Sequence, residues 1–172
     1  MNKHLTLALF ASITALGFGA DKAPAAAEKN PVTVNYIEPE KFTDFRQDRY
    51  GSDAGQAELM QIFTDHLNRI GRRVLEPGQR LEVKFTDIDL AGEFEPWRGA
   101  EFDDVRIMKD LYIPRATLEF RLLGADGKVL SEGKRQLRDL SYLLNNVQPA
   151  SDGLRFDKQM LTDWMHSEFR KK

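Results

Sequence analysis

A chain of 172 residues with 41% apolar and 30% charged side chains is composed to fold rather than to stay disordered, and its length suits one domain. Its 25 basic residues against 27 acidic ones leave a net charge of −2, which offers no basic surface for nucleic acid or anionic lipid. With no cysteine, disulfides, thiolate nucleophiles and cysteine metal sites are excluded, so packing alone has to hold the fold.

The N-terminus reads as an export signal. Asn2, Lys3 and His4 lead into an apolar run from Leu5 to Phe18, followed by small residues. That run is too short for a membrane span, which needs about 20 apolar residues, and has the charged start and small-residue exit of a secretory signal peptide. Ala25 and Ala27 both satisfy the small-x-small rule for cleavage, whereas cleavage after Ala20 would place bulky Phe18 at the third position back. The reading favours Ala27, giving a signal over residues 1–27, a short leader over 28–31 and a single domain over 32–172. Removing Lys3, Asp21 and Lys22 with the signal takes the net charge from −2 to −3. No cysteine near the exit can accept a lipid, so no membrane anchor is expected after signal removal.

Val32, Val34 and Tyr36 alternate with polar residues, the period of a strand with one face buried. From Asp53 to Arg73 the period becomes helical: Met60, Phe63, Leu67, Ile70 and Val74 recur at steps of three and four. Asp53 with Gln56 is the expected N-terminal cap and Gly71 the expected end. After Pro77-Gly78, Leu81, Val83 and Phe85 alternate, but Ile88 and Leu90 fall one step out of phase, which predicts a bulge or strand end at Thr86 or Asp87. Residues 91–114, with Gly92, Pro96, Gly99 and Pro114, read as a long loop. Ala116 to Leu122 and Lys128 to Leu137 form a hairpin around Gly124-Ala125-Asp126-Gly127. Phe156 and Leu161 bracket Asp157 as a hydrophobic staple brackets an N-cap, and Leu161, Trp164, Met165 and Phe169 continue a helical face. The expected fold is α+β: one domain, a mainly antiparallel sheet of about four strands, and two amphipathic helices packed on one face.

The stretch from Asp87 through Leu90, Glu93, Glu95 and Pro96 to Trp97, then Asp104-Val105-Arg106-Ile107 and Pro114-Arg115, resembles an exported proteobacterial family known only as domain of unknown function 3016. The ending from Leu154 to Trp164 resembles it too, and the likeness spans about Val32 to the tail. It implies a Gram-negative periplasm as the location and brings no activity, ligand, cofactor or catalytic residue.

Acidic residues crowd the centre: Asp87, Asp89, Glu93, Glu95, Glu101, Asp103 and Asp104. Carboxylates on a loop are suitable calcium ligands, but the spacing matches no calcium-loop pattern, and a solvated or salt-bridged face is the plainer reading. Two placed carboxyls with Trp97 as a stacking platform could also cleave a glycosidic bond, although any acidic chain offers such pairs. His66 and His166 sit beside the apolar stripes of the expected helices and belong to no nucleophile or zinc motif. Arg115 could bind an anion, or pair internally with Asp104. With no metal spacing or phosphate loop, no metal or cofactor is expected. The leading expectation is a non-catalytic periplasmic domain that binds an envelope protein or small ligand, with Asp87, Asp89, Glu93, Glu95, Trp97 and Arg115 as candidate binding residues. The alternatives are a carboxylate-dependent hydrolase acting on cell-wall glycan and a calcium-binding envelope protein.

Overall fold

A computed structural model describes residues 30–170; the expected signal over residues 1–27 lies outside the described residues. The main sheet has strands β1 (Val32–Tyr36), β2 (Arg80–Asp89), β5 (Arg115–Leu123) and β6 (Val129–Arg138), in that spatial order. Helix α1 (Asp53–Val74) joins β1 to β2, which run parallel, because a parallel pair needs a crossover connection. β2, β5 and β6 are antiparallel, and between β2 and β5 an insertion carries a second small sheet, β3 (Glu93–Phe94) with β4 (Arg106–Ile107). Helix α2 (Arg155–Phe169) ends the fold. The α+β class, the strand count and the helices on one face follow the reading of the sequence.

Period two sets the two faces of the sheet. Leu81, Val83, Phe85, Ala116, Leu118 and Phe120 point into one core with Leu59, Phe63, Leu67 and Ile70 of α1 and Met160, Leu161, Trp164 and Met165 of α2. The other face is a ladder of charges, with Arg121 reaching Glu82 at 3.2 Å and Glu132 at 3.6 Å, and Lys84 meeting Glu119 at 3.5 Å. The register slips between Phe85 and Asp87, so Thr86 is the extra residue and Ile88 still faces the core.

Three local readings are corrected. The N-cap of α1 is Ser52, whose Oγ accepts from the Gly55 N–H at 3.0 Å; Gln56 instead donates to the Pro39 carbonyl at 2.9 Å. Gly71 lies within α1 rather than ending it: a Cβ there would sit 2.5 Å from Val32 Cγ2, so its missing side chain lets the helix lie against β1. Asp157 is not the cap of α2, which starts at Arg155 after Leu154, and its neighbour Phe156 packs edge-on to Tyr142, ring centres 4.8 Å apart, in a second core with Ala91 and Ile113.

Gly71→Ala discriminates between the two roles of that glycine. As a loose helix residue it would gain about 1 kcal/mol on substitution. As a spacer it should lose about 1–3 kcal/mol by overpacking, read from urea unfolding midpoints.

Candidate functional site

The site is built where β1 and β2 end. The Ile37 N–H bonds to the Phe85 carbonyl at 3.0 Å, the chain then bows outward, and it rejoins β2 at Asp44, whose N–H meets the Ile88 carbonyl at 3.0 Å. Asp87 holds the bow with both oxygens, accepting from the Thr43 N–H at 2.8 Å and the Thr43 hydroxyl at 3.0 Å. This delivers the Asp44 side chain, in a residue only 5% exposed, to the end of the sheet.

A buried carboxylate needs a partner, and Arg106 from β4 supplies it. Its Nη1 donates to Asp44 Oδ2 at 2.6 Å and its Nη2 to Oδ1 at 3.3 Å, and the same two nitrogens donate to the Gly92 and Arg46 carbonyls respectively, each at 3.0 Å. Arg46 adds a bond from Nε to Asp44 Oδ1 at 3.1 Å and reaches Glu93 at 3.4 Å. Both guanidiniums lie over the Phe94 ring, at 4.5 Å for Arg106 and 5.6 Å for Arg46. Gly92, with φ +80°, completes the fit, since a Cβ would fall 2.9 Å from Arg106 Cγ and 2.8 Å from Met108 Sδ.

Glu95 is the insertion's own anchor. It is fully buried, pairs with Lys109, accepts from the Tyr112 hydroxyl at 2.8 Å and meets Arg98 at 2.6 Å. The hydrogen bond from Lys109 leads the causes that hold its carboxyl below the usual range, against the opposing effect of burial. The Lys109 carbonyl in turn accepts from the Tyr142 hydroxyl at 2.6 Å, tying the insertion to the second core. Residues 91–114 are therefore an ordered knob and not the open loop their composition suggests.

Asp157 lies beneath this cluster, 2% exposed. One oxygen accepts from the Ala91 N–H at 2.9 Å, and the other, among the described residues, has no partner. Burial raises its pKa to about 7, opposed by the Ala91 bond and the Arg106 charge and reinforced by Asp44.

The candidate residues do not converge. Asp87 is committed to Thr43, Glu93 to Arg46 and to the Phe94 N–H at 2.9 Å, and Glu95 to its three partners. Arg115 pairs with Asp89 at 2.8 Å, its direct neighbour across β2 and β5, and not with Asp104. Trp97 alone stands out, 70% exposed on the turn Pro96–Arg98. His66 is buried and bonded while His166 is exposed in the last turn of α2. No group of three or more His, Asp or Glu side chains among the described residues could hold a metal ion.

A groove of about 630 Å³ opens beside the Asp44–Arg106 pair, lined by Arg46, Val105, Arg106, Met108, Leu154 and Arg155, among others. Arg46, Arg106, Lys109, Tyr112 and Asp157 were not among the candidate site residues read from the sequence. A weak signal existed: Arg106 interrupts Val105 and Ile107, and Asp44 sits between Phe42 and Phe45, so each places a charge inside an apolar run.

These features define an α+β domain in which a parallel crossover unit is continued by an antiparallel hairpin and carries an ordered knob at the end of its first two strands. The chain belongs to the family described as protein of unknown function (DUF3016), whose model matches residues 30–167, from just before β1 into the last turns of α2. No curated protein and no solved structure matches it. Among the described residues no helix is long and apolar enough to cross a membrane.

Asp157 sets a pH dependence. Its folded pKa lies above the unfolded value, 3.8 against about 7, so its favourable contribution is complete below pH 3.8 and lost as pH rises through about 7. Asp157→Asn should remove this slope and be at least as stable as the native protein at pH 8, with the advantage shrinking towards pH 5 in guanidinium unfolding. A variant that is much less stable at pH 8 would show that the carboxylate is ionised and satisfied.

Proposed function

We propose that this protein is an exported, non-catalytic binding domain of the cell envelope, docking another envelope protein or a small ligand through the insertion between β2 and β5. One observation carries the reading: Trp97, 70% exposed, stands two residues from Glu95, which is fully buried and held by Lys109, Tyr112 and Arg98. A large aromatic side chain offered to solvent from a rigid support has its ordering cost already met, and tryptophan is among the residues that dominate binding energy at interfaces. The charged start, apolar run and alanine-rich exit of residues 1–27 support a periplasmic destination after cleavage.

A carboxylate-driven hydrolase draws no support from this geometry. A general acid needs a raised pKa and access to substrate. Glu95 is held ionised and Asp157 is sealed from solvent; burial raises the Asp89 carboxyl, but it is bonded to Arg115 at 2.8 Å, and the neighbouring Asp87 is committed to Thr43, which leaves no second carboxyl to act with it. Calcium binding likewise lacks a converging set of carboxylates among the described residues.

A photocrosslinking residue placed at position 97 in intact cells should yield one discrete adduct in the periplasmic fraction, absent when the probe sits on the charged face at Lys84. Trp97→Ala should leave the purified protein's stability within about 0.5 kcal/mol while removing binding to the captured partner. No adduct, or the same products from both positions, would contradict the reading. Recovery of the uncleaved chain in the cytosol would overturn the location.

A further inference from the structure

The main sheet ends in two edges, β1 and β6, and β6 is the longer, ten residues from Val129 to Arg138. The phase of its hydrogen bonds is fixed at both ends of the β5–β6 ladder, where the Gly124 N–H donates to the Lys128 carbonyl at 2.8 Å and the Asp139 N–H to the Pro114 carbonyl at 3.3 Å. Antiparallel bonds alternate, so Ser131, Gly133, Arg135 and Leu137 turn their main-chain groups to β5, while Glu132, Lys134 and Gln136 turn theirs away from the sheet. Among the described residues these outward groups take one bond, from Arg135 Nη1 to the Lys134 carbonyl at 2.9 Å, and that oxygen keeps a second lone pair. The outer side of β6 is therefore a row of open donors and acceptors.

Its side chains restrict what can pair there. Lys134, the extra residue Leu130, and the inward-pointing Arg135, bonded to Glu168 at 2.7 and 2.8 Å, are features that keep an edge from joining arbitrary strands. One strand meets them without conflict. On the outer face two cross-strand rows reach the edge, Glu82–Arg121–Glu132 and Lys84–Glu119–Lys134, each alternating in sign, and they end in opposite charges two residues apart. The inner neighbours of those two end residues stand off, Arg121 at 3.6 Å from Glu132 and Glu119 at 4.0 Å from Lys134. A second β6 laid antiparallel about a twofold axis at Gly133 sets Glu132 of each copy against Lys134 of the other, so both rows cross the junction with the alternation unbroken. Moving the axis one residue either way would set Glu132 against Glu132 or Lys134 against Lys134. On the inner face Gly133 then meets Gly133 and Ser131 meets Arg135, which leaves room for a guanidinium whose Nη1 lies 2.8 Å from where a Gly133 Cβ would be.

We propose that two copies of this chain pair antiparallel through β6 about a twofold axis at Gly133, joining their main sheets into one continuous sheet. The open main-chain groups of Glu132 and Lys134 supply the bonds, and the charged rows set the register and the choice of partner. The interface uses no residue of the insertion and stands or falls independently of the function proposed for it.

Sedimentation velocity of the purified protein from about 10 µM to about 1 mM should show a monomer–dimer equilibrium. Glu132→Lys and Lys134→Glu should each weaken self-association at least about tenfold, because each sets like charges at both crossings, whereas an equimolar mixture of the two variants should dimerise more tightly than either alone. In the native protein the Glu132 and Lys134 amides should gain exchange protection by NMR as concentration rises, while those of the insertion do not change. If either variant fails to fold, that concentration dependence decides alone. A native chain that stays monomeric at the highest concentration, a dimer that neither substitution weakens, a mixture no tighter than its parts, or edge amides indifferent to concentration would each overturn the proposal.

Discussion

The fold hangs on the pairing of Arg106 with Asp44. Sixty-two residues separate them, yet the guanidinium holds both oxygens of the one carboxylate and the backbone carbonyls of Gly92 and Arg46. In doing so it joins the segment that leads into α1, the exit of β2 and the second strand of the small sheet. A buried pair of this kind is weak evidence for net stability, because desolvation offsets much of the attraction. Its contribution is to specificity: with one partner missing, the other is a buried unpaired charge, so competing arrangements of these segments are excluded.

From that constraint the rest of the insertion follows. Phe94 carries two guanidiniums over its ring, Glu95 is bonded to Lys109 and Tyr112, and the Tyr142 hydroxyl donates to the Lys109 carbonyl. The second core of Ala91, Ile113, Tyr142 and Phe156 then closes over the start of α2, where Asp157 bonds to the Ala91 N–H. Asp157 favours its proton chiefly because it is buried with one oxygen unpartnered among the described residues, and the Asp44 charge adds to that. Most of the acidic run that looked like binding chemistry is engaged in internal pairs, Asp87 with Thr43, Asp89 with Arg115, Glu93 with Arg46, Glu95 with Lys109 and Asp103 with Arg49, and Trp97 is the large aromatic side chain that the insertion presents outward.

The main elements were legible because they rest on local periodicity. Phe63, Leu67 and Ile70 mark one helical face whatever they pack against, Thr86 betrays itself by the phase slip of Ile88, and the Gly124–Gly127 turn needs only its two flanking strands. The site was not legible, because its chemistry lies in long-range pairs. Nothing near Asp44 names Arg106, and nothing near Glu95 selects Lys109 and Tyr112 from the other cations and phenols. Gly71 and Asp157 show a subtler failure. Each has the residue type favoured at a helix end, but tertiary packing claimed the first as a spacer against Val32 and the second as a buried acceptor for Ala91.

The central claim is that the Asp44–Arg106 pair orders the insertion. Hydrogen exchange on a double variant, Asp44→Asn with Arg106→Met, tests it without stranding a charge. The account predicts that amides of residues 92–112 lose protection by about tenfold or more while those of the β5–β6 hairpin keep theirs. Unchanged protection across the insertion, or an equal loss throughout the sheet, would contradict it.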